Sequence, residues 1–118
     1  MNDIVAQYLE VWNIIDPTAR KAAVARVFTP DATYTDPLMA VRGHDAIDAG
    51  IAAAQAQFPD WVFRLAGPVD GHHEQVRFTW ELGPADGLAV VVGFDVAVVD
   101  GDRIATVYGF LDRVPSAA

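Results

Sequence analysis

One carboxylate stands inside the longest apolar run of the chain: Asp95 interrupts residues 88–99, which are otherwise aliphatic, aromatic or glycine. A buried carboxylate is costly unless it finds a partner, a raised pKa or water. A helix terminus, Arg77 or Arg103 could supply a structural partner. A second carboxylate, Asp36, closes the β-prone stretch Ala32-Thr33-Tyr34-Thr35-Asp36 ahead of Pro37, and Tyr8 falls on the apolar face of an N-terminal helix. Asp36 can equally end its strand through an Asp-Pro turn, and Tyr8 can equally fill the core. The chemistry open to such groups is proton transfer in an apolar pocket. Covalent chemistry lacks a nucleophile, because there is no cysteine, the only serine is Ser116 near the end, and Lys21 sits on a helix expected to face solvent. No glycine-rich phosphate loop or dinucleotide fingerprint is present, so no cofactor is expected. His72 and His73 are adjacent, would point to opposite faces of a strand and sit beside the Asp70-Gly71 turn. His44, in a helix first turn, is expected at the surface, and no metal site is expected.

The elements that must position these groups read as helices first and strands later. Over residues 4–15, Ile4, Tyr8, Val11, Trp12 and Ile15 recur at spacings of three and four, one face of a helix that Asp3 can cap. Asp16-Pro17 offers an N-cap and a first helical residue, and Ala22, Ala23, Val27 and Phe28 continue a second helix until Thr29-Pro30 stops it. A third helix begins near Gly43, carries Ile47, Ile51, Ala54 and Phe58 on one face, and is broken by the Phe58-Pro59-Asp60-Trp61 segment. Beyond Trp61 the period becomes two. Strands are predicted over residues 62–69, 74–82, 88–99 and 103–112, joined at Asp70-Gly71, Asp86-Gly87 and Asp100-Gly101, pairs that tolerate positive φ. Three helices and an antiparallel meander make an α+β fold with the helices on one face of a curved sheet. The strand over 88–99 is apolar on both faces, and the helices can cover only one. The other face is therefore predicted to pack on a second copy, a homodimer through the outer sheet face with Phe94, Val96 or Val98 at the contact.

With 118 residues, 53% hydrophobic and 20% charged, the chain suits one domain over residues 1–114 and a flexible tail over 115–118. Sixteen acidic against eight basic side chains leave a net charge of −8, which repels a phosphate backbone and an anionic membrane surface, so neither nucleic acid nor membrane is an expected partner. The N-terminal segment lacks the basic and apolar regions of a secretory signal, the run over 88–99 is short of a bilayer span, and the absence of cysteine suits a reducing compartment. A cytoplasmic protein is expected.

The succession of two helices, FTPDATYTDP, a G-H-D-A-I helix start, FPDW, hairpins, GFDVAVVDGDRI and a last strand ending YGFLD resembles the NTF2-like superfamily over nearly the whole chain, and within it SnoaL-like domains. That resemblance implies a cone of mainly antiparallel curved sheet closed by three helices around a pocket. The superfamily holds polyketide cyclases, ketosteroid isomerases, limonene epoxide hydrolases and non-enzymatic binding modules. In ketosteroid isomerase the general base precedes a proline in a stretch resembling residues 32–37, which implies that role for Asp36. Its oxyanion-hole tyrosine lies on the first helix in a pattern resembling Val5-Ala6-Gln7-Tyr8, implying Tyr8. Its second donor, a neutral aspartic acid, falls in the long strand, implying Asp95. The resemblance to limonene epoxide hydrolase breaks at Gly109, where that enzyme has an aspartate, and at Asp36, where it has an asparagine; a cyclase-type histidine on a strand is also missing. What the resemblance implies is a pocket for a small hydrophobic carbonyl compound, with Trp12, Phe28, Tyr34, Trp61, Trp80 and Tyr108 as lining candidates. It leaves two classes open, a cofactor-independent isomerase or cyclase and a non-catalytic ligand-binding or dimerisation module.

Overall fold

The computed structural model describes residues 2–115, so Ser116 and most of the expected tail lie outside the described residues. Helix α1 (Asn2–Asn13) buries Ile4, Val5, Tyr8, Leu9, Val11 and Trp12, a broad apolar stripe at helical spacing. Asp3 lies inside its first turn rather than ahead of it. The helix ends early because the Asn13 amide exchanges two hydrogen bonds with the Phe63 backbone, at 2.9 and 2.8 Å. Ile15, expected on the buried face, is left 72% exposed. Helix α2 (Pro17–Val27) starts as the Asp16-Pro17 pair predicts, with the Asp16 carboxylate accepting the Ala19 N–H at 2.8 Å.

Two expectations about the following segment are corrected. Phe28 does not continue α2; it is extended and opens β1 (Phe28–Thr35), which runs on through Thr29-Pro30. Proline is tolerated there because the pairing of β1 with its neighbour is irregular between Phe28 and Thr33. A short strand, β2 (Ala40–Arg42), then folds back antiparallel on β1 and leads into α3 (His44–Gln57). Gly43, at φ 88°, makes that corner. His44 is not a free surface residue: its Nε2 sits 2.9 Å from the Phe28 carbonyl oxygen.

The remaining strands are β3 (Trp61–Leu65), β4 (Asp70–His72), β5 (Gln75–Pro84), β6 (Val91–Asp100) and β7 (Arg103–Arg113). Asp70-Gly71 is not a turn. It belongs to β4, which pairs with β5, and the reversal falls at His73-Glu74, with His73 at φ 55°. Strand β6 begins three residues later than the apolar run suggests, because residues 88–90 cross over β5, with the Leu88 carbonyl against Gly83, and Leu88 is 90% exposed. The order across the sheet is β2-β1-β7-β6-β5-β3, with β4 also on β5. All pairs are antiparallel except β1 with β7, so the sheet is mixed and not a pure meander. Strand β1 enters from a helix, and no hairpin obliges it to run against its neighbour. Register shifts at Val92/Gly93 and Val98/Val99 bend the β6–β7 pair.

Three helices cover the concave face, and one buried ion pair ties them together. Arg20 Nε donates to Asp48 Oδ1 at 2.8 Å, linking α2 to α3, while Arg20 also reaches the Ile15 carbonyl and the Gln55 side chain. The Gln55 amide in turn donates to the Trp12 and Ile14 carbonyls, which closes the C-terminal end of α1. Among the described residues no helix is long and apolar enough to cross a membrane. Removing one partner of a buried pair leaves the other charge unpaired, so Arg20→Ala should cost about 3–5 kcal/mol in urea unfolding. The double replacement Arg20→Met, Asp48→Leu should recover most of that loss; equal destabilisation by both would show that the loss comes from the missing pair and not from the charge left unpaired.

Candidate functional site

The inward side chains of the sheet and the undersides of α1 and α3 enclose a cavity of about 230 Å³. Its wall is almost wholly apolar. Trp12 and Leu9 come from α1, Phe58 follows α3, Phe63 lies on β3, Trp80 and Leu82 on β5, and Leu111 on β7. The rings are inclined to one another: Trp12 lies tilted 5.6 Å from Tyr34 and 5.2 Å from Phe63, and Phe63 meets Trp80 edge to face at 5.5 Å.

Two aspartates and two tyrosines form the polar floor. The Tyr8 hydroxyl, carried by α1, donates to Asp95 Oδ2 on β6 at 2.7 Å, and the two residues are 1% and 2% exposed. The Tyr34 hydroxyl on β1 donates to Asp36 Oδ2 at 2.7 Å, and Asp36 Oδ1 accepts the N–H groups of Leu38 and Met39 at 2.8 and 3.0 Å. Three donors thus fix the Asp36 carboxyl as an Asx turn that also aims it at the cavity. Asp95 Oδ1 is buried and has no partner. Trp12 Nε1 is also without one, although its N–H lies close enough to the Tyr8 hydroxyl to favour the phenolate form.

Neither Arg77 nor Arg103 meets Asp95. Arg77 lies on the outer face and pairs at 3.4 Å with Asp70, while Asp95 points inward with its neighbour positions Gly93 and Ala97. Burial therefore raises the Asp95 pKa from 3.8 to about 6, opposed by the Tyr8 hydrogen bond and the nearby Trp80 indole and reinforced by Asp36. Burial beside Asp95 pushes the Tyr8 and Tyr34 hydroxyls well above the ordinary phenol range, so both stay protonated donors.

Two glycines make the room for this floor. Gly109 stands opposite Asp95 on β7, and a Cβ there would lie 2.9 Å from Asp95 Oδ1, 3.2 Å from Asp36 Cβ and 3.5 Å from the Tyr34 hydroxyl. A Cβ on Gly93 would meet the Trp80 ring at 2.4 Å. Both sit inside strands, where glycine marks a close approach, and that was the signal by which the sequence could have flagged them.

Of the expected residues, Tyr8, Asp36, Asp95, Trp12, Tyr34 and Trp80 border the cavity. Three lining candidates do not. Phe28 is fully buried behind Tyr8, its ring edge-on at 6.0 Å. Trp61 stacks on Phe58 at 5.0 Å, outside the cavity. Tyr108 is 49% exposed on the opposite face, since β7 turns Val107, Gly109 and Leu111 inward and the residues between them outward. Leu9, Phe63, Leu82 and Leu111 line the cavity without having been singled out, because simple apolar residues carry no mark in sequence that separates wall from core.

The raised acid makes the fold pH-dependent in a defined direction. The folded value of about 6 exceeds the reference 3.8, so the folded state holds this proton more tightly than the unfolded chain. The stabilisation is fully present below about pH 4 and lost as pH climbs through 6. Relative to Asp95→Asn, which has no such proton, the wild type should lose about 2–3 kcal/mol of unfolding free energy between about pH 4 and pH 8. Urea titrations of both proteins at the two pH values measure it, and a pH-independent difference would mean that Asp95 titrates normally.

The SnoaL-like domain family matches residues 5–107. Among solved structures, a candidate isomerase of the SnoaL-like family from Agrobacterium tumefaciens is 40% identical, superposes with a TM-score of 0.89, and the match covers 93% of this chain and 95% of that one. A candidate polyketide cyclase from Sinorhizobium meliloti (19% identity, 91% and 93% coverage, TM-score 0.72) shares the fold. So does a candidate ketosteroid isomerase from Kribbella flavida (14% identity, 98% and 80% coverage, TM-score 0.71). No curated protein gives a significant match. With a family match over most of its length and a close structural relative, the chain belongs to the SnoaL-like domain family.

Proposed function

We propose that the cavity binds a small hydrophobic carbonyl compound and moves a proton at the carbon next to its carbonyl. The observation that carries this reading is that a fixed carboxyl, Asp36, and a buried acid with a free oxygen, Asp95, share one apolar cavity. Tyr8 occupies Asp95 Oδ2, so the proton of the neutral acid belongs on Oδ1, the oxygen with no partner. From there it can donate to a ligand carbonyl. As Asp36 takes the α-proton, the electron pair of the C–H bond moves toward that carbonyl oxygen, and Asp95 stabilises the enolate that forms. Return of the proton from Asp36 to the same or a conjugated carbon completes an exchange or an isomerisation. Tyr8 is spent on Asp95, so in this reading it is a positioning residue and Asp95 is the donor to the ligand.

The volume of about 230 Å³ lies below the roughly 300–1,000 Å³ of drug-sized sites, which favours one- or two-ring compounds over a steroid. A two-ring ketone, 1-indanone, is a suitable probe. In D2O the protein should speed deuterium incorporation at its C2 position, and Asp36→Asn should reduce that rate by about 10²–10⁴-fold. Binding of 1-indanone without any acceleration would instead favour a non-catalytic ligand-binding module.

We also propose that the outer sheet face packs on a second copy of the chain. Val92, Phe94, Val96 and Val98 of β6 point outward, Phe94 stacks on Phe110 at 4.9 Å, and Tyr108 and Phe110 are half exposed. Arg77 and Glu81, of opposite charge, flank this patch on β5 opposite Val96 and Val92. A two-fold axis through the patch could set each against the other's copy. Light scattering should report a dimer at roughly tens of micromolar and a monomer or aggregate for Val96→Asp; a monomeric wild type at that concentration would refute the pairing.

A further inference from the structure

The cavity is unusual in what it lacks. Among the described residues, Asp36 and Asp95 are the only charged side chains along its wall, and no lysine, arginine or histidine joins them. Four of the eight basic side chains are engaged elsewhere. Arg20 holds Asp48, Arg77 pairs with Asp70, Arg64 reaches the carbonyls of Pro84, Ala85 and Gly87, and Arg113 reaches that of Ala89. The two acids are close to each other: Asp95 Oδ1 and Asp36 Cβ lie 2.9 and 3.2 Å from the point where a Cβ on Gly109 would stand. Two carboxylates so placed repel, and each favours a cation between them. The floor also holds an acceptor with nothing to accept, since Asp95 Oδ1 is unpartnered in a residue 2% exposed. The same cavity is lined by the rings of Trp12, Tyr34, Phe63 and Trp80, and aromatic faces attract a desolvated cation.

We infer that this cavity selects its ligands by charge, rejecting carboxylates and taking small hydrophobic amines in their protonated form, with the ammonium held between Asp95 Oδ1 and the Asp36 carboxylate. The inference rests on the reading of the cavity as a ligand site but not on its chemistry being enolisation. An amine fills the same place as a carbonyl oxygen with the opposite hydrogen-bonding sense: the ammonium donates to an ionised Asp95, whereas a carbonyl accepts from a neutral one. An anionic ligand meets two acids and no counter-charge, and it would have to be buried unpaired. Hydrophobic amines would accordingly compete with the carbonyl compound for one site.

A matched series tests this by calorimetric titration near about pH 7.5, where a primary alkylamine is protonated and a carboxylic acid is ionised. The series is 1-aminoindane, 1-indanone, indane and indane-1-carboxylate, which share one ring system and differ in the polar group. The amine should bind at least ~10-fold more tightly than indane and ~100-fold more tightly than the carboxylate. Asp95→Asn should lower the ratio of amine to ketone affinity by ~10-fold or more. Should that variant fail to fold, carboxyl-carbon NMR of the wild type keeps the question open to decision, because the amine must move the Asp95 and Asp36 signals together. Equal binding of amine and indane, or of amine and carboxylate, overturns the inference, as does an amine that leaves both carboxyl signals unmoved. Amine binding with no ketone binding would sustain it and overturn the carbonyl reading. Ketone binding without amine binding would do the reverse, and binding of no member of the series would overturn both.

Discussion

The hydrogen bond from Tyr8 to Asp95 is the constraint around which this protein is built. An acid in the middle of a sheet floor, 2% exposed, cannot be left to apolar neighbours alone, and a phenol from the overlying helix, with the Trp80 indole nearby, is what meets it. That bond fixes where α1 lies across the concave face. The register of α1 then places Trp12, one turn beyond Tyr8, over Tyr34 and Phe63. The opposing strand must give way in turn, and it does so at Gly109, where a Cβ would crowd Asp95 and Asp36 at once. Helix placement, cavity wall and the omission of a side chain on β7 thus follow from the accommodation of one carboxyl group.

The two tyrosine–aspartate pairs are chemically alike and electrostatically different. Asp36 sits at the end of β1 in a turn that offers it two backbone N–H groups as well as the Tyr34 hydroxyl. Asp95 has Tyr8 and the nearby Trp80 indole against a dominant desolvation penalty, which carries its pKa to about 6. Burial thus makes Asp95 a carboxyl that changes charge near neutral pH, whereas Asp36 is set apart by its three hydrogen-bond donors. The phenols, both pushed upward by burial beside carboxylates, remain donors throughout.

The sheet serves two environments through strand alternation. On β6 the inward positions Val91, Gly93, Asp95 and Ala97 are buried, while Val92, Phe94, Val96 and Val98 between them stay half covered. On β7 the same alternation puts Leu111 at the cavity, Gly109 against Asp95, and Tyr108 and Phe110 on the outer face. A one-residue slip of either strand would carry Asp95 outward and an aromatic ring into the floor. The glycines and the bulges at Val92/Gly93 and Val98/Val99 therefore hold register as well as shape.

The sequence by itself determined the parts that depend on local periodicity and capping. The helical stripe through Tyr8 and Trp12, the Asp16-Pro17 start, the Gly43 corner and the strand carrying Asp95 each follow from a spacing or a side chain acting on its own neighbours. The family resemblance added the α+β cone and brought Tyr8, Asp36 and Asp95 forward together. Long-range pairing decided the rest. The parallel seat of β1 against β7 and the small strand β2 come from where α2 and α3 deliver the chain, and no local signal encodes that. Which side of the sheet a ring faces depends on register counted across partners, so Tyr108 and Trp80 look equivalent in sequence and end on opposite faces. The absence of any arginine beside Asp95 has the same origin: Arg77 lies in the paired strand but alternates to the outer face, and a buried acid is left with a tyrosine and an empty oxygen.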